Sequence, residues 1–230
     1  MNYEYYYNEV PGEGKHRNNL IYTSLINEDK TVFVQWYNND TEYHKGMNQV
    51  VDPELMDEKW QRELKYLQLM RAAYTEHVPK ILDIDHNNKK IYLQIQGVDF
   101  WQLSINNKTD FYGVLPNWQE QMLEIIKAHK SLGLYKYSMH PSSYFIVDGK
   151  LKSINYFFTY HKNEGPLILQ KHQSHISDNR QKQMKEIVES IGISWTEPEP
   201  QSVLQELCFE SFSTNYPRDF VEKAKEVYRD

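Results

Sequence analysis

The run AHKSLGLYKYSMHPSSYFIVDGKLKSINYFF, residues 128–158, decides how the rest of the chain is read. It starts as the end of an amphipathic helix, breaks at Gly133, continues as a polar loop and closes as a tight hairpin. Asp148-Gly149 stands between the apolar runs 144–147 and 151–156. Asp-Gly in that setting signals a two-residue turn, because both central residues need positive φ. The loop before it, residues 135–143, contains Ser138, His140, Pro141, Ser142 and Ser143. Polar residues held between a helix and a hairpin form either a site or a connection.

Upstream, residues 19–26 and 31–37 read as strands joined by the polar turn 27–30. Gly12-Glu13-Gly14 before them reads as a turn, and Tyr3, Tyr5, Tyr6 and Tyr7 as an edge strand. Asp52-Pro53-Glu54 has the order of an N-cap, a first-turn proline and a first-turn acid, and opens a helix over 53–74. Trp60, Leu64, Leu67, Met70 and Tyr74 form its apolar stripe. Glu63 lies at the edge of that stripe, either solvated or held by a partner. Residues 79–84 and 90–95 read as two more strands around the turn 86–89. Gln96-Gly97-Val98-Asp99 follows. From Asn117 a helix carries Trp118, Met122, Ile125, Ile126 and His129 on one face, where His129 reads as a core histidine.

Downstream, residues 160–178 are polar and irregular. His172, His175 and Asp178 have a metal-like spacing, but histidines in a polar loop with no further ligand are usually surface residues. Three helical stripes close the chain. Ser177 or Asp178 caps the first, which carries Met184, Ile187, Val188 and Ile191. Val203, Leu204, Leu207, Cys208 and Phe212 form the second, after the linker 197–200. Phe220, Val221, Ala224, Val227 and Tyr228 form the third. Cys208 on such a stripe is a packing residue.

Helix, polar loop, hairpin and triplet is the order of the catalytic segment in the protein-kinase-like superfamily, and the chain resembles a degenerate, pseudokinase-like member. The nearest branch reads H-G-D-x-H-P-x-N and then D-F-G. The words here are Lys136-Tyr137-Ser138-Met139-His140-Pro141-Ser142-Ser143, and later Asn155-Tyr156-Phe157. The resemblance puts Ser138 at the catalytic Asp, Ser143 at the metal-binding Asn and Asn155 at the metal-binding Asp. His140 takes the framework histidine. Gln35, in Val32-Phe33-Val34-Gln35, takes the phosphate-holding Lys, and Glu63 the helix Glu that pairs with it. Gly12 and Gly14 fall at the glycine-rich loop, with Arg17 where a third glycine would stand. Gln96 falls at the hinge, whose backbone would face an adenine. No A-P-E follows; Gly165-Pro166-Leu167 is the nearest break.

The fold implied is α+β and two-lobed. Residues 1–96 would form a small antiparallel-sheet lobe with one long helix. Residues 97–230 would form a shortened helical lobe holding the loop and hairpin segment 135–158. Ser138, Ser143 and Asn155 offer only neutral oxygens where Mg²⁺ prefers anionic ones. The resemblance therefore implies lost phosphotransfer and a binding or regulatory module, with ATP bound without magnesium left open. One alternative is an active, non-canonical phosphotransferase using His140 with Glu63 or Asp99. Another is an unrelated α+β interaction domain.

Composition narrows the partners. A net charge of −6 gives no general reason to expect nucleic acid or an anionic membrane. Mean hydropathy is −0.77, yet aromatics make up 14% of residues, which argues against disorder. A single cysteine excludes an intramolecular disulfide. There is no secretory leader pattern and no run of the roughly 20 apolar residues that a membrane span needs. A soluble, cytoplasmic protein with a protein partner is the expectation, its oligomeric state open.

Overall fold

The computed structural model describes residues 2–19, 21–38, 41–44, 53–108, 110–163 and 215–229. The expectations for Asp52, for the breaks and histidines of 164–178, for the first two terminal helices and for Cys208 lie outside them. The chain divides into two compact units, residues 1–125 with 140–158, and residues 126–139 with 159–230. The expected lobe boundary at 96/97 falls inside the first unit.

The first unit is built on a five-stranded antiparallel sheet. Its strands are β1 (Tyr3–Tyr5), β4 (Thr23–Asn27), β5 (Val32–Trp36), β6 (Ile81–Asp85) and β7 (Lys90–Gln94), in the order β1-β4-β5-β7-β6. β5 is central and its sequence, VFVQW, is buried at four consecutive positions. A strand covered on both faces reads as a continuous apolar run, as this one nearly does, with Gln35 the exception. Of the four N-terminal tyrosines expected in an edge strand, Tyr3 and Tyr5 lie in the edge strand β1, while Tyr6 follows it and Tyr7 opens a separate strand. Between β1 and β4 a separate hairpin rises from the sheet, β2 (Tyr7–Val10) and β3 (Gly14–Arg17). Sequence reading had only a turn there.

Helix α1 (Pro53–Ala73) connects β5 to β6. It buries Met56, Trp60, Leu64, Leu67 and Met70 at spacings of three and four, which one helical face requires. Lys59, Glu63 and Tyr66 are buried beside them, so the covered face is wider than the apolar stripe. Tyr74 lies one residue past the helix, its φ of −143° already extended. After β7 come α2 (Phe100–Asn106), α3 (Phe111–Val114) and α4 (Trp118–Ser131). The 141–143 turn leads into the hairpin β9 (Tyr144–Val147) and β10 (Lys150–Ser153). Asp148 and Gly149 have φ of 51° and 71°, the two positive values that the Asp-Gly signal demanded.

In the second unit the end of α4 stops at Gly133, whose φ is +67°. A Cβ there would sit 3.0 Å from the Lys162 side chain, so both conformation and space favour glycine. β8 (Leu134–Lys136) pairs antiparallel with β11 (Thr159–His161). The terminal helix α5 (Arg218–Arg229) buries Phe220, Val221, Ala224 and Tyr228, following the expected stripe. Its end is held by Lys130 Nζ, which donates to the Val227 carbonyl at 2.8 Å, a cation on an orphan helix carbonyl. His129 is fully buried, as a core histidine should be. Among the described residues no helix is long and apolar enough to cross a membrane.

Candidate functional site

Three residues singled out from the sequence meet in the first unit. Strand β5 carries Gln35, the 141–143 turn ends at Ser143, and Asn155 follows β10. The Ile154 N–H donates to the Ser143 carbonyl at 2.8 Å and locks the last two segments together. Asn155 has φ +66°, a conformation that asparagine accepts more readily than most residues. Its Oδ1 accepts from the Tyr22 hydroxyl at 2.6 Å and from Gln35 Nε2 at 3.2 Å. Its Nδ2 donates to Ser143 Oγ at 2.9 Å. All four side chains are 0–2% exposed. The cluster is neutral, and most of its polar atoms are satisfied from within. Gln35 Oε1 is an acceptor without a hydrogen-bond partner among the described residues.

These groups do not fit a magnesium ion. The Asn155 carbonyl is already taken by two donors and the Ser143 hydroxyl by a third. No carboxylate among the described residues hydrogen-bonds any of them. A divalent ion would have to displace that bonding in exchange for neutral ligands only.

Glu63 is buried and not solvated. It is 0% exposed, and its Oε2 accepts from the Phe157 N–H at 2.8 Å and the Tyr37 hydroxyl at 3.2 Å. The carboxylate therefore holds the backbone of the Asn155-Tyr156-Phe157 triplet in place. One turn earlier on α1, Lys59 is fully buried with its ammonium 4.0 Å from the centre of the Phe158 ring. Burial pulls its pKa down to about 6.

His140 Nδ1 accepts from the Ser142 N–H at 3.1 Å and meets the Ser142 hydroxyl at 2.8 Å. Its ring stands edge-on to Trp101 at 5.2 Å. Burial pushes its pKa down to about 4. At neutral pH it is an uncharged residue whose basic nitrogen is already occupied. Gln96 is exposed, yet its amide both donates to Asp148 Oδ1 and accepts from the Asp148 N–H, each at 2.7 Å. Asp148 therefore holds the residue at the hinge-like position as well as making its turn. Gly12 and Gly14 lie at the exposed tip of the β2–β3 hairpin with φ of 84° and 85°. Ser138 belongs to the second unit, where its carbonyl accepts from Lys136 Nζ.

Sequence reading missed two features of the first unit. One is an aromatic block: Phe33 packs on Phe145 at 5.1 Å, on Tyr6 at 5.6 Å and on Tyr22 at 6.3 Å. Phe145, Phe33 and Tyr22 are fully buried, and Tyr6 is 4% exposed. The other is Asp99. It caps α2 through a 3.0 Å bond from the Gln102 N–H to its Oδ1, and its backbone bridges to Phe145. Its Oδ2 accepts from the Tyr6 hydroxyl at 2.6 Å and from Asn18 Nδ2 at 3.0 Å. Burial raises its pKa to about 7 against the pull of those donors. The order Asp99-Phe100-Trp101-Gln102, with the spacing of a capping box, was the available signal for the cap.

Among the described residues no group of three His, Cys, Asp or Glu side chains could hold a metal ion. No protein-family model matches the chain, and no curated protein matches it. Among solved structures it is similar to two of WbdD, one described as a bifunctional kinase-methyltransferase. In these, 100% of this chain overlaps 51% and 50% of the other, at 12% and 9% identity and a TM-score of 0.48 in each case. The chain thus spans about half the length of those it matches. A likeness of that size leaves function to be argued from this chain's own residues.

Proposed function

We propose that the chain is a kinase-like scaffold that has given up phosphotransfer and acts by binding a protein partner in the cytoplasm. The order of elements supports the scaffold. Five antiparallel strands with a long helix between the third and fourth precede a polar loop, a hairpin and a triplet at the expected places. The boundary at 96/97 belongs to this reading. So do the assignments of Ser138, His140, Ser143, Asn155, Gln35, Glu63, Gln96 and the Gly12/Gly14 tip to degenerate catalytic and nucleotide-facing positions.

The observation that carries the loss of catalysis is the closed, neutral bonding of Asn155 to Tyr22, Gln35 and Ser143. Phosphoryl transfer draws its rate from positioning and from charge neutralisation by metal and lysine, and this cluster supplies no charge. The rearranged-enzyme reading loses support because His140 is a poor base at neutral pH and Glu63 is committed to a backbone amide. The aromatic block also weighs against a bound adenine, since side chains of the protein itself fill the space around Phe33.

Thermal unfolding with millimolar ATP, with and without Mg²⁺, tests this. A nucleotide present at a hundred times its Kd would add about 2.7 kcal/mol and raise Tm by several degrees. The expected result is no shift in either condition. A Mg²⁺-dependent rise accompanied by phosphate release would replace this reading with the phosphotransferase.

A further inference from the structure

The β2–β3 hairpin, residues 7–17, leaves the sheet and returns to it within a few residues, and both of its roots are tied to the same oxygen. Tyr6, one residue before it, donates its hydroxyl to Asp99 Oδ2 at 2.6 Å. Asn18, one residue after it, donates to that oxygen at 3.0 Å. The Asp99 N–H donates back to the Tyr6 hydroxyl at 3.1 Å. Further out, Gln102 on α2 accepts from the Glu9 N–H at 2.6 Å and donates to the Glu9 carbonyl at 3.0 Å. The rest of the hairpin has little burial, with β3 exposed at three of its four residues. Beside it lies a cleft of about 240 Å³, partly open to solvent and bordered by Tyr6, Glu9, Lys15, Ile26, Val98 and Gln102.

We propose that residues 7–17 form a flap, latched through Asp99 and Gln102, whose release widens this cleft and uncovers Tyr6 and the aromatic block behind it. The latch suits a gate because few contacts must break. Besides Asp99 and Gln102, the arm is held at Tyr43, whose carbonyl accepts from Arg17 Nε and whose ring packs on Tyr7 at 5.5 Å. A well-buried core element would open only with the whole fold, whereas an arm held at a few separate points can open by itself.

Protonation sets the direction of the gate. In the closed state Asp99 is fully buried and its pKa is raised to about 7, with desolvation the largest cause. In an open state the carboxyl meets water and returns towards the ordinary value near 3.8. The closed state therefore holds its proton more tightly, is favoured at low pH, and loses that advantage as pH rises from about 4 to about 7. The titratable groups facing Asp99 are Tyr6 on the arm's root and Tyr22 on β4. Burial holds both phenols far above neutral pH, so neither titrates in that window. On the arm, Glu9 and Lys15 pair in solvent at 3.6 Å. The other donors to the carboxyl, Asn18 Nδ2 and the Gln102 N–H, are neutral.

Amide hydrogen exchange read at Glu9 and across residues 7–17 tests the flap, at pH 5 and pH 7, after correction for intrinsic exchange. The wild-type arm should open on the order of tenfold or more often at pH 7, while β5 and β7 stay protected at both. Asp99→Asn, which cannot titrate, should give one opening frequency at both pH values. Gln102→Ala should raise opening at both and keep the pH step. The idea is overturned if the wild-type arm exchanges only as fast as the sheet, or at the same frequency at both pH values. It is equally overturned if the step survives in Asp99→Asn. Because it rests on the arm alone, it stands whether or not ATP shifts Tm.

Discussion

Two polar clusters lie within the first unit, and they differ in one respect. Around Asn155, Tyr22, Gln35 and Ser143 complete a neutral set with no titratable group near neutrality. Around Asp99, Tyr6, Asn18 and the Gln102 N–H converge on a carboxyl that does titrate there. The contrast shows what this chain does with its buried acids. Asp99 and Glu63 both receive backbone N–H groups, the first at the head of α2 and the second in the triplet. Acidic oxygens serve main chain here, while the Asn155 cluster is built from amides and hydroxyls. The Asn155 cluster should therefore act as a fixed part of the fold, and the Asp99 cluster as a part whose strength depends on pH.

Asn155→Leu would break the comparison hardest. It strands the Tyr22 hydroxyl, the Gln35 amide and the Ser143 hydroxyl in a site that is 0–2% exposed. Each unpaired group costs about 1–3 kcal/mol, so urea denaturation should show a loss of about 3–9 kcal/mol, the same at pH 5 and pH 8. A loss under about 1 kcal/mol would mean the cluster contributes little.

Asp99→Asn sharpens the other side. Because the folded pKa is raised above its unfolded value, wild-type stability should fall as pH rises from about 4 to about 7 and then level off. A three-unit shift corresponds to about 4 kcal/mol at most, and the tight donors to the carboxyl should make the observed fall smaller. The variant should remove that part of the slope, as measured by denaturation midpoints from pH 4 to pH 8. An unchanged slope would place the titration elsewhere.

Ser143→Ala is the mildest test. It removes a single acceptor from Asn155 Nδ2, for an expected loss of about 1–2 kcal/mol with no pH dependence. A larger effect would show that the cluster is more tightly coupled than its pairwise bonds suggest.

Much of the scaffold was legible in the sequence. The Asp148-Gly149 turn came from its demand for positive φ, and α1 from its 3–4 spacing. The strands flanking the 86–89 turn came from their apolar runs. Gln35, Ser143 and Asn155 could be singled out as positions, but their mutual bonding could not, because it spans up to 120 residues of chain. The β2–β3 hairpin was missed because YNEV and GKHR carry no apolar alternation. It is held by side chains elsewhere, through Asp99 and Gln102, and local pattern does not register such support. Glu63 was undecidable locally, since a helix edge in sequence became a buried face once Tyr37 and Phe157 closed over it.

The bond pair between Gln102 and Glu9 has a consequence for how the protein behaves in a crowded solution. A short ribbon standing off a sheet offers unsatisfied peptide groups that another molecule's strand could adopt, the usual first step of edge-to-edge aggregation. The Gln102 amide presents one donor and one acceptor to the carbonyl and N–H of the same residue, Glu9, as a neighbouring strand would. One side chain thereby closes that edge of the ribbon to foreign strands without adding a strand to the sheet.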